Sequence, residues 1–102
     1  MPITLDNCNI LQTYFDDGIL ARFTSGNGST VEGYVRNYSF YRSKSDHVEI
    51  GEFPDKPGDS ILYAEEIEKV EPADLDRTRA SLLEKHSSEE AEKIIAKLSV
   101  SF

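Results

Sequence analysis

Two alternating apolar segments on either side of a glycine-rich turn constrain the fold of this chain more than any other feature. Every second residue is apolar or glycine in both segments, namely Ile19, Ala21 and Phe23 before the turn and Val31, Gly33 and Val35 after it. Alternation with a period of two is typical of half-buried strands, and Asn and Gly in the turn tolerate the positive φ of hairpins. The sequence therefore predicts a β-hairpin, whose sheet needs further strands because a lone hairpin is unstable in water.

The segments after the hairpin predict a mainly β domain. Gly33 interrupts the second strand, and a glycine inside a strand marks a bulge, a bend or a close approach of two backbones. We expect this strand to run on to Phe40 and to curve. The remaining predictions are a turn at 41–46, a strand at 47–53, a loop at 54–59, and strands at 61–63 and 67–70 joined by a short connection.

Helical periodicity near the N-terminus predicts a first helix. The apolar residues at helical spacing are Ile10, Leu11, Tyr14 and Phe15. Asp6 precedes them and is suited to an N-cap. The competing interpretation is a strand at residues 3–5 followed by a loop, and we favour the helix.

Two helices are predicted after Pro72, which suits a first helical turn because it lacks a backbone donor. The apolar face of the first is Leu75, Leu82 and Leu83, and that of the second is Ala91, Ile94, Ile95 and Leu98. Ser87 and Glu90 form a capping box at the start of the second helix. The second face either packs on the β domain, seats a partner helix or builds a homo-oligomer. Val100 and Phe102 add a strand or pack as a tail.

Two stretches of the sequence resemble the Sm-like family of small five-stranded barrels. Residues 28–35 are similar to a second-strand motif in which a turn glycine precedes a strand with a bend glycine, and residues 61–70 are similar to the motif of the last two strands. The resemblance covers roughly residues 6–72. It implies a small Sm-like or SH3-like barrel with an N-terminal segment over residues 1–72. Residues 73–102 are then a helical extension packed on the same single domain.

The connection before the last strand departs from the RNA-binding members of this family. Those proteins carry basic or polar residues there, which face RNA, whereas this chain has Glu65 and Glu66. Two carboxylates would oppose a phosphate, so the resemblance implies the barrel more than RNA binding. An acidic Sm-like barrel with an N-terminal helix is also similar to the Rof family of small bacterial Rho inhibitors, which act by protein contact.

Charge and cysteine content narrow the classes of partner. The 102 residues carry 19 acidic against 11 basic side chains, a net charge of −8. This charge disfavours nucleic acid and acidic membranes and favours basic partners. Cys8 cannot form an internal disulfide, and His47 and His86 lack a metal-ligand spacing, so we expect no metal and no cofactor. Without an apolar run of about 20 residues or a signal peptide, we expect a cytoplasmic protein with no membrane contact.

The main candidate site is an acidic surface in the second half of the sequence. Ten acids stand against two lysines between Glu49 and Asp76. The predicted protein-binding residues are Glu49, Glu52, Glu65, Glu66 and Glu68. Carboxylates in such a cluster attract a basic protein surface over a long range. The alternative is a solvated face that keeps a small domain in solution.

An aromatic and basic strip is the alternative site, for single-stranded RNA. Its predicted residues are Tyr34, Arg36, Tyr38, Tyr41 and Arg42. Aromatic faces stack on bases and arginines reach phosphates, and residues 33–45 contain no acid. The competing interpretation is that the tyrosines half-bury themselves beside the arginine stems on a sheet face.

Catalytic motifs are missing from the sequence. Neighbouring carboxylates such as Glu65 and Glu66 point to opposite faces of a strand and cannot share a proton. The sequence holds no nucleophile elbow and no phosphate-binding loop. We therefore predict a non-enzymatic interaction module or regulator. A homo-oligomer is a third hypothesis, because closed rings are common among Sm-like barrels.

Overall fold

The computed structural model describes the backbone of residues 5–39 and 46–101, and the side chains of residues 9–39 and 46–101. The elements are α1 (Leu5–Asp16), β1 (Leu20–Ser25), β2 (Thr30–Ser39), β3 (His47–Gly51), β4 (Ser60–Tyr63), a 3-10 helix (Ala64–Glu66), β5 (Ile67–Pro72), α2 (Leu75–Leu83), α3 (Ser88–Leu98) and β6 (Val100–Ser101). The expectation of a mainly β fold with helices at both ends is confirmed.

All six of these strands form one antiparallel sheet in the order β4-β3-β2-β1-β5-β6. The predicted five-stranded closed barrel is wrong, because the sheet is open and contains a sixth strand. The chain passes from β4 to β5 through the 3-10 helix, so no ladder joins these two strands. The short β6 pairs instead with the outer edge of β5, where Val100 lies opposite Val70. Of the two alternatives for the tail, the strand is the one that Val100 forms, and Phe102 lies outside the described residues.

The hairpin prediction is confirmed. β1 and β2 pair from Leu20 opposite Tyr34 to Thr24 opposite Thr30. The turn closes with a 2.9 Å hydrogen bond from the Ser25 N–H to the Ser29 carbonyl, and Gly28 takes a φ of 86°. Such a φ favours glycine because it lacks a Cβ.

The curvature of β2 comes from a bulge, which lies at Arg36 and not at Gly33. The register between β2 and β3 shifts between Val35 and Asn37. Gly33 instead allows a close approach, because a Cβ there would lie 3.1 Å from the Cβ of Ile50. A bulge reverses the alternation of side chains along its strand, so Val35 and Tyr38 both face the core.

A second bulge shapes β5. Thr24 pairs with Lys69 while Ser25 pairs with Ile67, which leaves Glu68 as the extra residue. Ile67 and Val70 are three positions apart, and both are buried. Glu68 is consequently pushed outward and is exposed.

The helices follow the predicted periodicity with two corrections at their starts. Asp6 lies inside α1, which begins at Leu5, so it is not the cap. Pro72 ends β5, and Asp74 caps α2 by accepting a 3.1 Å hydrogen bond from the Arg77 N–H. The predicted cap of α3 is confirmed, since the Ser87 hydroxyl accepts from the Glu90 N–H at 3.2 Å.

One hydrophobic core joins the sheet to all three helices. Its members are Leu11 and Tyr14 of α1, Leu82 of α2, Ala91 and Leu98 of α3, and the sheet-side residues Ile19, Ala21, Phe23, Val35, Val48, Ile50, Ile67 and Val70. Ile94 and Ile95 pack against this core and are partly buried. Leu75 and Leu83 are exposed, so only Leu82 of the predicted α2 face is buried. The Tyr14 hydroxyl donates a 2.7 Å hydrogen bond to the Leu98 carbonyl and ties α1 to α3.

Candidate protein-binding surface

Three of the predicted acids surround the turn of the β1–β2 hairpin. Glu65 and Glu66 lie on the exposed 3-10 helix, and the Glu66 carbonyl accepts a 3.2 Å hydrogen bond from the Gly26 N–H. The Glu68 carboxylate lies beside the same glycine, where a Cβ would come within 3.2 Å of its Oε1. We call Glu65, Glu66 and Glu68 the turn cluster.

Glu49 and Glu52 lie apart from the turn cluster. Glu49 stands on β3 opposite Ile61 of β4, and its side chain packs against Gly58 in the loop 52–59. Glu52 is exposed in the same loop. We call these two residues the loop pair. β4 begins after this loop and ends at the 3-10 helix, so the predicted acids divide into two groups at its two ends.

None of the five acids forms an ion pair with a cation of the described residues. Some carboxylates elsewhere on the surface are neutralised, as where Arg22 lies 2.9 Å from Glu32, and Lys69 3.1 Å from Glu71. Arg79 likewise holds Glu92 at 2.8 Å. These ion pairs place basic side chains on the outer face of β1 and β5 and on the helices. The acids at both ends of β4 are therefore not held in ion pairs, although Lys56 lies in the same loop as Glu52, over the Phe53 ring. The net charge at both ends stays negative and attracts cationic groups.

The strand between the two groups exposes apolar side chains. Ile61 is 54% exposed and Tyr63 48%, whereas Leu62 between them is partly buried against the core. The sequence predicted a strand at this position but did not indicate that one side of it is exposed. All three residues are apolar, so alternation along the strand did not distinguish the exposed side from the buried one.

The three described residues of the aromatic and basic strip line two depressions, with Tyr34 in one and Arg36 and Tyr38 in the other. Tyr38 lies opposite the buried Val48, packs on the core and donates a 2.6 Å hydrogen bond from its hydroxyl to Gln12 Oε1. Tyr34 lies in a separate depression beside Pro54 and α2. The bulge in β2 causes this division. Tyr41 and Arg42 lie outside the described residues.

Arg36 is engaged within the fold. Its guanidinium lies over the Phe15 ring at 5.1 Å from the centroid, and its Nη1 donates to the Pro54 carbonyl. Cation–π contacts of this kind stabilise by about 0.5–1 kcal/mol at exposed sites. Arg36 and Tyr38 share an open bowl of about 330 Å³ with Phe15 of α1. The side chain of Arg36 thus links α1 and the loop 52–59 to β2.

Other candidate groups are isolated. His86 Nε2 lies 3.2 Å from Asp17 Oδ1, and this contact joins the end of α2 to the end of α1. Within residues 9–39 and 46–101 no three His, Cys, Asp or Glu side chains come together as metal ligands would. The helices that the structure describes are all too short or too polar to cross a bilayer.

Comparison of the chain with known proteins gave no assignment. No protein-family model, no curated protein and no solved structure matches it.

Proposed function

We propose that this protein is a non-enzymatic interaction module, a small acidic cytoplasmic regulator that binds a basic protein partner. The turn cluster and the loop pair form the binding surface. The observation that carries this proposal is the position of these unpaired acids at the two ends of β4, a strand whose Ile61 and Tyr63 are about half exposed. Charges that the fold does not neutralise are available to an incoming basic surface.

Electrostatics favours this reading over a merely solvated face. A net charge of −8 directs basic proteins toward the molecule, and uncompensated carboxylates at two ends of one strand localise that attraction. Attraction between exposed charges is screened beyond about 8 Å at physiological salt. We therefore expect binding to weaken as salt rises.

An Sm-like relationship is part of the proposal. It is supported by the order of elements, an N-terminal helix followed by a hairpin, two further strands, a short connection and a fifth strand. The short connection holds Glu65 and Glu66, which would repel a phosphate. This position favours a protein partner over the alternative of single-stranded RNA.

The test is a pull-down from cell extract with the purified chain, at two salt concentrations and with or without nuclease. The test variant is Glu65→Lys/Glu66→Lys. The control is Asp16→Lys/Glu84→Lys, which makes the same charge change at two exposed acids at the C-terminal ends of α1 and α2, where a cation is favourable. We expect a nuclease-resistant, salt-sensitive protein partner whose recovery falls about tenfold in the test variant and stays unchanged in the control.

Two results would contradict the proposal. Equal recovery by the natural chain and the test variant would mean that the turn cluster only keeps the protein in solution. Recovery that disappears after nuclease treatment would favour RNA binding through the predicted strip of Tyr34, Arg36, Tyr38, Tyr41 and Arg42.

A further inference from the structure

β4 is an open edge of the sheet. It is the first strand in the sheet order and pairs with β3 alone among the described strands. Edge strands expose unpaired backbone groups, to which another extended chain can add. Proteins commonly protect such edges with charged side chains, prolines or a covering segment. The four residues of β4 contain none of these charges or prolines.

The backbone direction of β4 identifies which groups are available. The Ala64 N–H donates a 2.9 Å hydrogen bond to the Asp46 carbonyl, so Ala64 directs its backbone toward β3. Backbone groups of an antiparallel strand alternate between its two neighbours. Leu62 therefore also faces β3, and the N–H and C=O of Ile61 and the N–H of Tyr63 face outward. The Tyr63 carbonyl belongs to the N-cap of the 3-10 helix and is not counted among the available groups.

A groove lies beside this edge on the core side. It has a volume of about 180 Å³ and is lined by Leu62 of β4 and, across the opening of the sheet, by Phe23 and Val31 of the hairpin. An additional strand on β4 would cover this groove with its inward side chains. Those side chains would be apolar, because the lining is mainly apolar.

We propose that β4 accepts an extended segment of a basic partner as a seventh strand. The segment has apolar residues at alternate positions and lysine or arginine residues at both ends. Its apolar side chains fill the groove by Leu62, and its cations face the turn cluster at one end and the loop pair at the other. This inference rests on the proposed function, for which it names the chemistry of the partner.

Charge argues against a second copy of this chain as the occupant. Two β4 strands side by side in antiparallel fashion would bring the turn cluster of one copy toward the loop pair of the other, and like charges repel. Pairing of β4 with β5 of another copy is hindered, because β6 occupies the outer edge of β5 at Lys69 and Val70. A basic segment meets neither obstacle.

The experiment is a fluorescence-anisotropy titration of the natural chain with a labelled peptide of about eight residues that alternates valine and lysine. The matched peptide has the same side chains and charge but is methylated on all its backbone nitrogens, so it cannot form a ladder. We expect the methylated peptide to bind at least about tenfold more weakly. Both Ile61→Pro and Glu65→Lys/Glu66→Lys should weaken binding of the unmethylated peptide to a similar degree.

The Ile61→Pro variant removes an N–H that faces away from β3, and proline is tolerated at such edge positions. If Ile61→Pro does not fold, the comparison of the unmethylated with the methylated peptide still tests backbone pairing at β4 on the natural chain. If both peptides bind equally well and Glu65→Lys/Glu66→Lys abolishes their binding, the strand pairing is wrong and docking on the acidic residues remains supported. Binding of neither peptide would overturn the inference, and charge reversal without effect would contradict the proposed function itself. Self-association that Ile61→Pro abolishes would identify a second copy as the occupant instead.

Discussion

Gly33 lies where β2 approaches a buried side chain of β3 closely. A Cβ at this position would lie 3.1 Å from the Cβ of Ile50 and 3.2 Å from its Cδ1. Ile50 is only 2% exposed, so it has little room to move. We expect Gly33→Ala to lower the free energy of unfolding by about 1–3 kcal/mol through overpacking, as measured by urea denaturation.

Gly26→Ala is the control for that substitution. The atom nearest to an added Cβ there is Oε1 of Glu68, the end of a flexible and exposed side chain. Its effect should stay within about 0.5 kcal/mol. If the two variants lose equal stability, the cost comes from the loss of glycine itself and not from the contact with Ile50.

Tyr14 is a buried residue whose hydroxyl has a specific role. The side chain is fully buried, and the hydroxyl donates to the Leu98 carbonyl at 2.7 Å. Tyr14→Phe leaves that carbonyl without its donor, which should lower the free energy of unfolding by about 1–3 kcal/mol. Tyr63→Phe removes a hydroxyl from a half-exposed side chain and should change stability little in the same urea titration. Equal losses would show that the bond between α1 and α3 does not stabilise the fold.

The same tyrosine makes stability depend on alkaline pH. Burial raises the pKa of Tyr14 above its usual value, and the negative charge of Glu71 raises it further. Above about pH 10 the unfolded chain releases this proton while the folded chain keeps it, so stability falls as pH rises. The slope attributable to this group approaches about 1.4 kcal/mol per pH unit. Urea unfolding of the natural chain and of Tyr14→Phe from about pH 9 to about pH 11 should show a steeper decline in the natural chain, and parallel curves would refute the assignment.

At the scale of elements, the sequence predicted those structures that depend on neighbouring residues. The hairpin follows from alternation and the Asn-Gly turn, and the start of α3 follows from Ser87. The bulges at Arg36 and Glu68 were not predictable in this way, because each depends on the register with a distant strand. β6 pairs with β5 about thirty residues earlier in the chain, and two residues carry too little sequence information to predict that contact.

For the candidate site, the sequence predicted the residues but not how they are arranged on the fold. The acids are evident from composition, and Glu65 and Glu66 do lie exposed on the short connection that was predicted for them. Their separation from Glu49 depends on where β4 runs, which composition does not reveal. The division of the strip between Tyr34 and Tyr38 depends on the bulge between them.

The cap of α3 offers a test at the scale of a single element. The Ser87 hydroxyl accepts a 3.2 Å hydrogen bond from the Glu90 N–H, one of the donors that a helix start leaves unpaired. We expect Ser87→Ala to lower the free energy of unfolding by about 1 kcal/mol, measured by urea denaturation. Ser88→Ala is the control, since this exposed serine is the first residue of α3 and not its cap. If Ser88→Ala destabilises the protein more than Ser87→Ala does, the Ser87 hydroxyl does not stabilise the start of α3.

At the scale of the whole molecule, the strands β4 and β5 differ in whether a further strand covers their outer edge. β4 is open, whereas the outer edge of β5 is covered by Val100 and Ser101. The other edge of the sheet is β6, whose two residues offer few backbone groups to which β4 of another copy could add head to tail. The short β6 therefore acts against open-ended assembly, which two free and complementary edges would promote.

This asymmetry predicts the effect of removing β6 from the sheet. Val100→Pro/Ser101→Pro abolishes the backbone donors of β6 and should free the edge of β5 for β4 of another copy. We expect weak self-association that increases with concentration, because so short an edge buries little surface. Sedimentation equilibrium measures it, and circular dichroism verifies that the variant is folded. Val100→Ala/Ser101→Ala keeps the donors and should behave as the natural chain does.

The open edge of β4 provides the decisive control for this assembly. Adding Ile61→Pro to the double-proline variant removes an outward N–H from β4 and should abolish the association. Association that survives this change would arise from another surface, such as the exposed Leu75 and Leu83 of α2. A double-proline variant that stays folded and does not associate at any concentration would show that β6 does not govern assembly. The exposed edge of β4 would then be unable to add even a complementary strand of the same protein.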